Sequence, residues 1–234
     1  MIEGDLLLML LCYVYIVSVI LISSKIDRFL HVSQKVSRKF LHVMIGNLLW
    51  IMPFFTSNIY PFIVASPFIL VTFFASPYSP FKSLNRRLRG LADITEEGHQ
   101  LGLVFYAISY TLLALLFSSK PSLPVMAAGL VPMVYGDAAA SLIGERYGKR
   151  RYRFFADKSL EGSAAMFFAS FISLVASLAF FSLFYPFSVF DRIPVAIAVA
   201  TIGTLVEGFS PLGFDNLTVP AFSGLTFLLL NRGV

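Results

Sequence analysis

The sequence predicts an all-α fold, a polytopic membrane helix bundle of about eight transmembrane segments with both termini outside. Three observations predict it. Of 234 residues, 57% are hydrophobic and 13% charged, and the mean hydropathy is +0.80; a soluble domain carries about a quarter of its residues as charge. The apolar residues fall in runs close to bilayer length. Lys and Arg gather in alternate loops, the pattern that orients helices in membranes.

About 20 apolar residues cross a bilayer, and fewer suffice when side chains at the ends snorkel or the membrane thins. On that rule segments fall at 5–22, 41–56, 59–76, 99–118, 122–143, 162–186, 193–209 and 217–231. The first has Glu3 and Asp5 at its start and its first basic residue only at Lys25, after the apolar run. A secretory leader has its basic residues first, so this segment is expected to stay as a helix. The second, seventh and eighth are short enough to be tilted, half-spanning or re-entrant.

The loop after the first segment holds Lys25, Arg28, Lys35, Arg38 and Lys39. The loop after the third holds Lys82, Arg86, Arg87 and Arg89, and that after the fifth holds Arg146, Lys149, Arg150, Arg151, Arg153 and Lys158. Fifteen of the 18 basic residues thus share one side; Lys120, Arg192 and Arg232 fall on the other. The rich side is cytoplasmic by the positive-inside rule. The formal charge of +5 is therefore a topology signal and not a nucleic-acid-binding surface. The lone Cys12 excludes a disulfide framework and a cysteine metal site. With no appended soluble region or linker, residues 1–234 read as one integral-membrane domain.

The polar clusters lie on the cytoplasmic side. Arg38, Lys39 and His42 share a helix face by their three- and four-residue spacing, at a helix start where backbone N–H groups favour phosphate. Lys35 reads as a snorkelling residue. Glu96, Glu97, His99 and Gln100 stand at the entrance of the fourth segment, where capping explains acids and a binding role is secondary; His31 reads as a loop histidine. Asp137 lies inside the fifth apolar run, after Gly136, where an acid costs about 2.5–3.5 kcal/mol. It requires a basic partner or a cation. Gly144, Gly148 and the stretch Lys158, Ser159, Glu161, Gly162, Ser163 follow, a weakly specific glycine-and-lysine phosphate cradle that is not a Walker A loop. Arg150, Arg151 and Arg153, interleaved with Tyr152, Phe154 and Phe155, read as an interfacial belt. Glu207 and Asp215 close the set at the ends of the last two segments. Three carboxylates without cysteine suit a hard cation such as Mg²⁺, and carboxylates, cations and glycines together are the parts for a magnesium–polyphosphate.

The motifs "RKFLH" (38–42), "GD" (136–137) with the glycines at 144 and 148, "KSLEGS" (158–163), and Glu207 followed by "DNLTVP" (215–220) resemble those of the polyprenol kinase family, in the family's order, over about residues 36–222. That family includes dolichol kinase, phytol kinase and the yeast-type diacylglycerol kinase, which use CTP rather than ATP. It belongs to the wider group containing phosphatidate cytidylyltransferase. The resemblance implies transfer of the CTP γ-phosphate to the hydroxyl of a membrane lipid alcohol. Its CTP and Mg²⁺ site would involve Asp137, Lys158, Glu161, Asp215 and Asn216, with Arg38, Lys39 and His42 meeting phosphate. Dolichol, phytol, geranylgeraniol and diacylglycerol are all compatible acceptors.

On this reading Asp137 and Asp215 hold Mg²⁺, with Glu207 or Glu161 completing its shell. Lys158, Arg38 and Lys39 offset phosphate charge, and the base is Glu161, Asp215 or His42. Two other readings are a cytidylyltransferase that makes a CDP-lipid, and a transporter using Asp137 as a ligand. The protein would be a multi-pass protein of the cell membrane or the ER, with its site facing the cytoplasm.

Overall fold

The computed structural model describes residues 2–31, 33–87, 101–211 and 213–231. Helix α1 (Ile2–Leu30) is followed by α2 (Gln34–Gly46), whose start is fixed by the Ser33 hydroxyl accepting from the Val36 N–H. Helix α2 tightens into a 3₁₀ stretch (Asn47–Phe54) that contains Pro53. Helices α3 (Ile59–Ala65) and α4 (Pro67–Ala75) form one apolar segment interrupted at Ser66, with Pro67 at the first position of α4, where its missing N–H does no harm. Helix α5 (Lys82–Arg87) and α6 (Gly102–Phe117) follow.

The next helix passes through the middle of the bundle. After a 3₁₀ turn (Lys120–Ser122) come α7 (Leu123–Val131), a π turn (Pro132–Gly136) and α8 (Asp137–Tyr147). Pro132 cannot donate to the carbonyl four residues back, which loosens ordinary winding. The Asp137 N–H then bonds the Pro132 carbonyl, five residues earlier. All nine residues of α7 are buried. Helices α9 (Leu160–Phe181), α10 (Ile193–Phe209) and α11 (Asp215–Leu230) pack around this helix and one another. The core joins Met126, Leu130 and Met133 to Met166, Leu174 and Phe227.

Helix occupies the described part of each expected segment, with 41–56 formed by the end of α2 and the 3₁₀ stretch. Glu3–Ile26, Lys120–Tyr147, Leu160–Phe181 and Phe190–Phe209 are long and apolar enough to cross a membrane; Ile59–Ala75, Gly102–Phe117 and Asp215–Leu230 are shorter apolar helices. Helix α1 leaves Leu7, Leu10, Val14, Val17 and Leu21 exposed, an apolar face of the kind a bilayer covers. Among the described residues one element departs from an all-α description. Strands β1 (Arg151–Arg153) and β2 (Asp157–Ser159) form an antiparallel hairpin, with Tyr152 opposite Lys158.

Two buried charged residues, Asp5 and Arg192, sit at the end of the bundle away from this hairpin and find local partners. Asp5 accepts from the Thr56 N–H and from the Thr56 hydroxyl. Arg192 donates to Asn231 at 3.1 Å and lies 4.0 Å from the Phe187 ring centroid. They tie chain segments together and leave the chemistry-bearing groups at the opposite end.

Candidate active site

Helix α2, started by Ser33, carries Arg38, Lys39 and His42 toward the π turn and α8. A Cβ at Gly46 would overlap the Val134 side chain, so the glycine lets α2 and the π turn approach. Lys39 Nζ then stands 2.5 Å from Asp137 Oδ2, across 98 positions of sequence, with both side chains about nine-tenths buried. This is the basic partner that an acid at membrane depth requires. His42 Nε2 is 2.8 Å from the Met133 carbonyl oxygen inside the π turn; a carbonyl only accepts, so Nε2 carries the proton and donates. The same nitrogen is 3.9 Å from Asp137 Oδ2. Tyr106 donates its hydroxyl to the His42 carbonyl at 3.0 Å and lays its ring 4.4 Å from the imidazole.

The hairpin supplies the second lysine. Lys158 on β2 pairs with Glu207, in the last turn of α10. Burial opposes its charge, yet Glu207, then Asp215 and Asp137, outweigh that cost and hold the ammonium pKa above its ordinary value. The hairpin is fastened at its base. Glu161 accepts from the Lys149 and Arg150 N–H groups at 3.1 and 3.2 Å, and Tyr152 and Ser163 share a hydroxyl bond of 2.6 Å. Ser159 caps α9 by accepting from the Gly162 N–H.

Asp215 starts α11 and is buried, with the Asn216 N–H donating to its carboxylate at 2.9 Å. Among the described residues it enters no ion pair. The Asn216 amide donates to the Gly102 carbonyl, and the Ser109 hydroxyl donates to the Asn216 carbonyl, locking the start of α11 to α6.

These groups border one cavity of about 450 Å³, lined by Arg38, Lys39, Asp137, Lys158, Ser159, Ser163, Glu207 and Asp215 together with Gly144 and Gly162. Its size lies within the range of small-molecule sites, ~300–1,000 Å³. A smaller cavity of about 30 Å³ adjoins it, bordered by Arg38, Lys39, His42, Asp137, Asp215 and Asn216. Of the sequence-derived set, Gly136, Gly148 and Glu161 line neither. Gly136 abuts Ser170 and Met166, Gly148 meets Gly144 and Ser159 at the exit from α8, and Glu161 holds the hairpin. Gly144 and Gly162 border the larger cavity, and they also let α8 and α9 cross closely: a Cβ at Gly162 would lie 2.9 Å from the Ala140 carbonyl oxygen and 3.2 Å from the Gly144 Cα. Glu96, Glu97, His99 and Gln100 lie outside the described residues.

Several lining residues were not among the sequence-derived candidates. Lys35 reaches the cavity and pairs with Glu145 at 3.3 Å. Arg151 and Arg153 reach it from β1. The signal for them was the two-residue spacing in "RYR", which places both arginines on one face of a strand. Among the described residues no three His, Cys, Asp or Glu side chains are gathered as a ready metal cage. The donors that face the cavity are carboxylate oxygens, which suit Mg²⁺, an ion that usually takes only one or two protein carboxylates plus water and phosphate. The donor set fits a cation that arrives with a polyphosphate.

Comparison with known proteins follows the same line. The chain is 33% identical to phytol kinase of Synechocystis sp. over 214 residues, covering 90% of this chain and 86% of that protein. It is 30% identical to dolichol kinase of Saccharomyces cerevisiae over 199 residues, 81% of this chain but 36% of that longer protein. It is 27% identical to farnesol kinase of Arabidopsis thaliana over 216 residues, 84% of this chain and 66% of that protein. No family model matches, and no solved structure does.

Proposed function

The chain belongs to the polyprenol kinase family, and on that premise we propose that it transfers the γ-phosphate of CTP to the hydroxyl of an isoprenoid alcohol at the cytoplasmic membrane face. The observation that carries the reading is the cavity itself. Cations from α2 and the hairpin and carboxylates from α8, α10 and α11 converge there from parts of the chain far apart in sequence. Phosphoryl transfer needs positioning and charge neutralisation more than covalent help, and this set offers both.

Lys158, Lys39 and Arg38 face the triphosphate, with Arg151 and Arg153 at its approach. Asp137 and Glu207 would hold Mg²⁺, which when bound neutralises charge on the β- and γ-phosphates. The proton of the acceptor hydroxyl goes to Asp215. His42 borders the smaller cavities and not the 450 Å³ one, its ring held by the Nε2 bond to Met133, and Glu161 is bonded to the hairpin amides away from the cavity. The hydroxyl oxygen forms a bond to the γ-phosphorus, the bond from that phosphorus to the β–γ bridging oxygen breaks, and CDP leaves. The clustering of Lys and Arg in alternate loops supports eight crossings with both termini outside.

The test is to incubate the protein in lipid nanodiscs with Mg²⁺, each nucleoside triphosphate in turn, and farnesol, geranylgeraniol, phytol, dolichol, diacylglycerol or phosphatidate. CDP together with a prenyl phosphate is the expected product pair. Pyrophosphate with a CDP-lipid would replace the proposal by cytidylyl transfer. Preference for ATP over CTP would overturn the choice of donor.

A further inference from the structure

An apolar cavity of about 80 Å³ lies between α1, α2, α3, α4 and α6. Ile16, Met52 and Val64 close it and are buried, while Phe68, Val71 and Leu103 are half-buried. It connects by its lining to the polar site. The 30 Å³ cavity shares His42 and Leu103 with the apolar one, and shares Arg38, Lys39, Asp137 and Asp215 with the 450 Å³ one. The three form a series in which the walls change from cationic to apolar over roughly one helical turn of α2, from Arg38 to His42.

We propose that the apolar cavity holds the hydroxyl-proximal isoprene units of the acceptor, with the hydroxyl passing between His42 and Leu103 to Asp215. This rests on the kinase reading above and adds the acceptor's route. Only an amphiphile with a small polar head and an apolar body matches both ends of the series. A diacyl lipid places a branched, two-chain glycerol at the head, where a prenol brings a single CH₂OH group. The volume encloses only the first part of a prenyl chain, and the remainder leaves past half-buried Phe68 and Val71. Val64 and Met52 line the part of the cavity away from His42 and so bear on the units beyond the first.

Two measurements test this. In the first, Val64→Phe is compared with the wild type on a C5 and a C20 prenol, with thermal unfolding of the variant as the check on folding. The expected result is a KM for the C20 alcohol raised about tenfold or more, with the C5 value changed less than about twofold. Equal changes for both alcohols would overturn the route. In the second, the wild type is irradiated with a C20 prenol carrying a diazirine on its second isoprene unit. Adducts are expected on α2, α4 and α6 residues of the cavity, competed by unlabelled C20 prenol and not by excess diacyl phospholipid. Adducts confined to the outer face of the bundle, or competed equally by phospholipid, would overturn it. If the cavity is labelled but no alcohol is phosphorylated, the kinase reading fails and the prenyl site stands; phosphorylation with adducts elsewhere sinks the site alone.

Discussion

Replacing Lys39 by methionine tests the energetic centre of the site. The substitution keeps the length of the side chain and removes the ammonium that lies 2.5 Å from Asp137. Asp137 would then be a carboxylate about nine-tenths buried, beside a His42 proton already committed to Met133. Removing one partner of a buried ion pair costs about 3–5 kcal/mol. For a chain of this size each kcal/mol moves the melting temperature by about 2–4 °C, which gives an expected fall of about 6–20 °C. The assay is thermal unfolding in nanodiscs without nucleotide, followed by the fluorescence of the single Trp50. The double variant Lys39→Met with Asp137→Leu should recover most of that loss, because replacing both members of a buried pair with apolar groups is often neutral or better. Neither variant should transfer phosphate. A melting temperature for Lys39→Met within about 2 °C of the wild type, less than the shift expected from 1 kcal/mol, would refute the reasoning. So would a double variant that melts below Lys39→Met.

Three further outcomes are expected. Asp215→Asn, which breaks no ion pair among the described residues, should melt within about 2–4 °C of the wild type and lose about 10²–10⁴ in turnover; retained turnover would remove it from the proton-accepting role. Gly162→Ala drives a Cβ to 2.9 Å from the Ala140 carbonyl oxygen and should cost about 1–3 kcal/mol in thermal unfolding, whereas Gly4→Ala, with nothing within 4 Å, should cost little. Lys158 has a raised pKa, so the stability from its pair with Glu207 is fully present below the ordinary lysine pKa and is lost only as pH rises through the higher folded value. Its ¹³Cε resonance in ¹³C-lysine-labelled protein should stay that of an ammonium up to about pH 10, and a neutral Lys158 at about pH 9 would contradict the pairing.

The helices were legible because apolar runs end where basic or acidic residues begin, and 193–209 coincides with α10 at both ends. Helix α1 extends to Leu30, well past 22, and α2 starts at Gln34 rather than 41. Charged residues continue a helix into the interface as readily as they end it, and hydropathy cannot see the difference. The hairpin was missed because its strands are three residues long and their alternation was read as an aromatic and basic belt. At the site, the need of Asp137 for a partner followed from its depth. Which cation answers it did not, because Lys39 and Asp137 meet only when α2 packs on the π turn. Glu161 sits within a motif rich in phosphate-type residues, yet it is spent on backbone amides, a role that no spacing announces.

The π turn at 132–136 also governs where this chain tolerates a change of length. A π turn is a helix that carries one surplus residue and absorbs it locally, so the faces on either side keep their phase. In an ordinary helix each residue rotates the next by about 100°. A single deletion within α7 would therefore swing Asp137 about 100° around the axis, out of reach of Lys39. The same deletion inside 132–136 would convert the turn to regular winding and leave the carboxylate facing as before, at the expense of the carbonyl that His42 grips. The turn is a slack link in an otherwise indel-intolerant span, and mutational libraries that vary the length of this helix should yield folded protein there and not along α7.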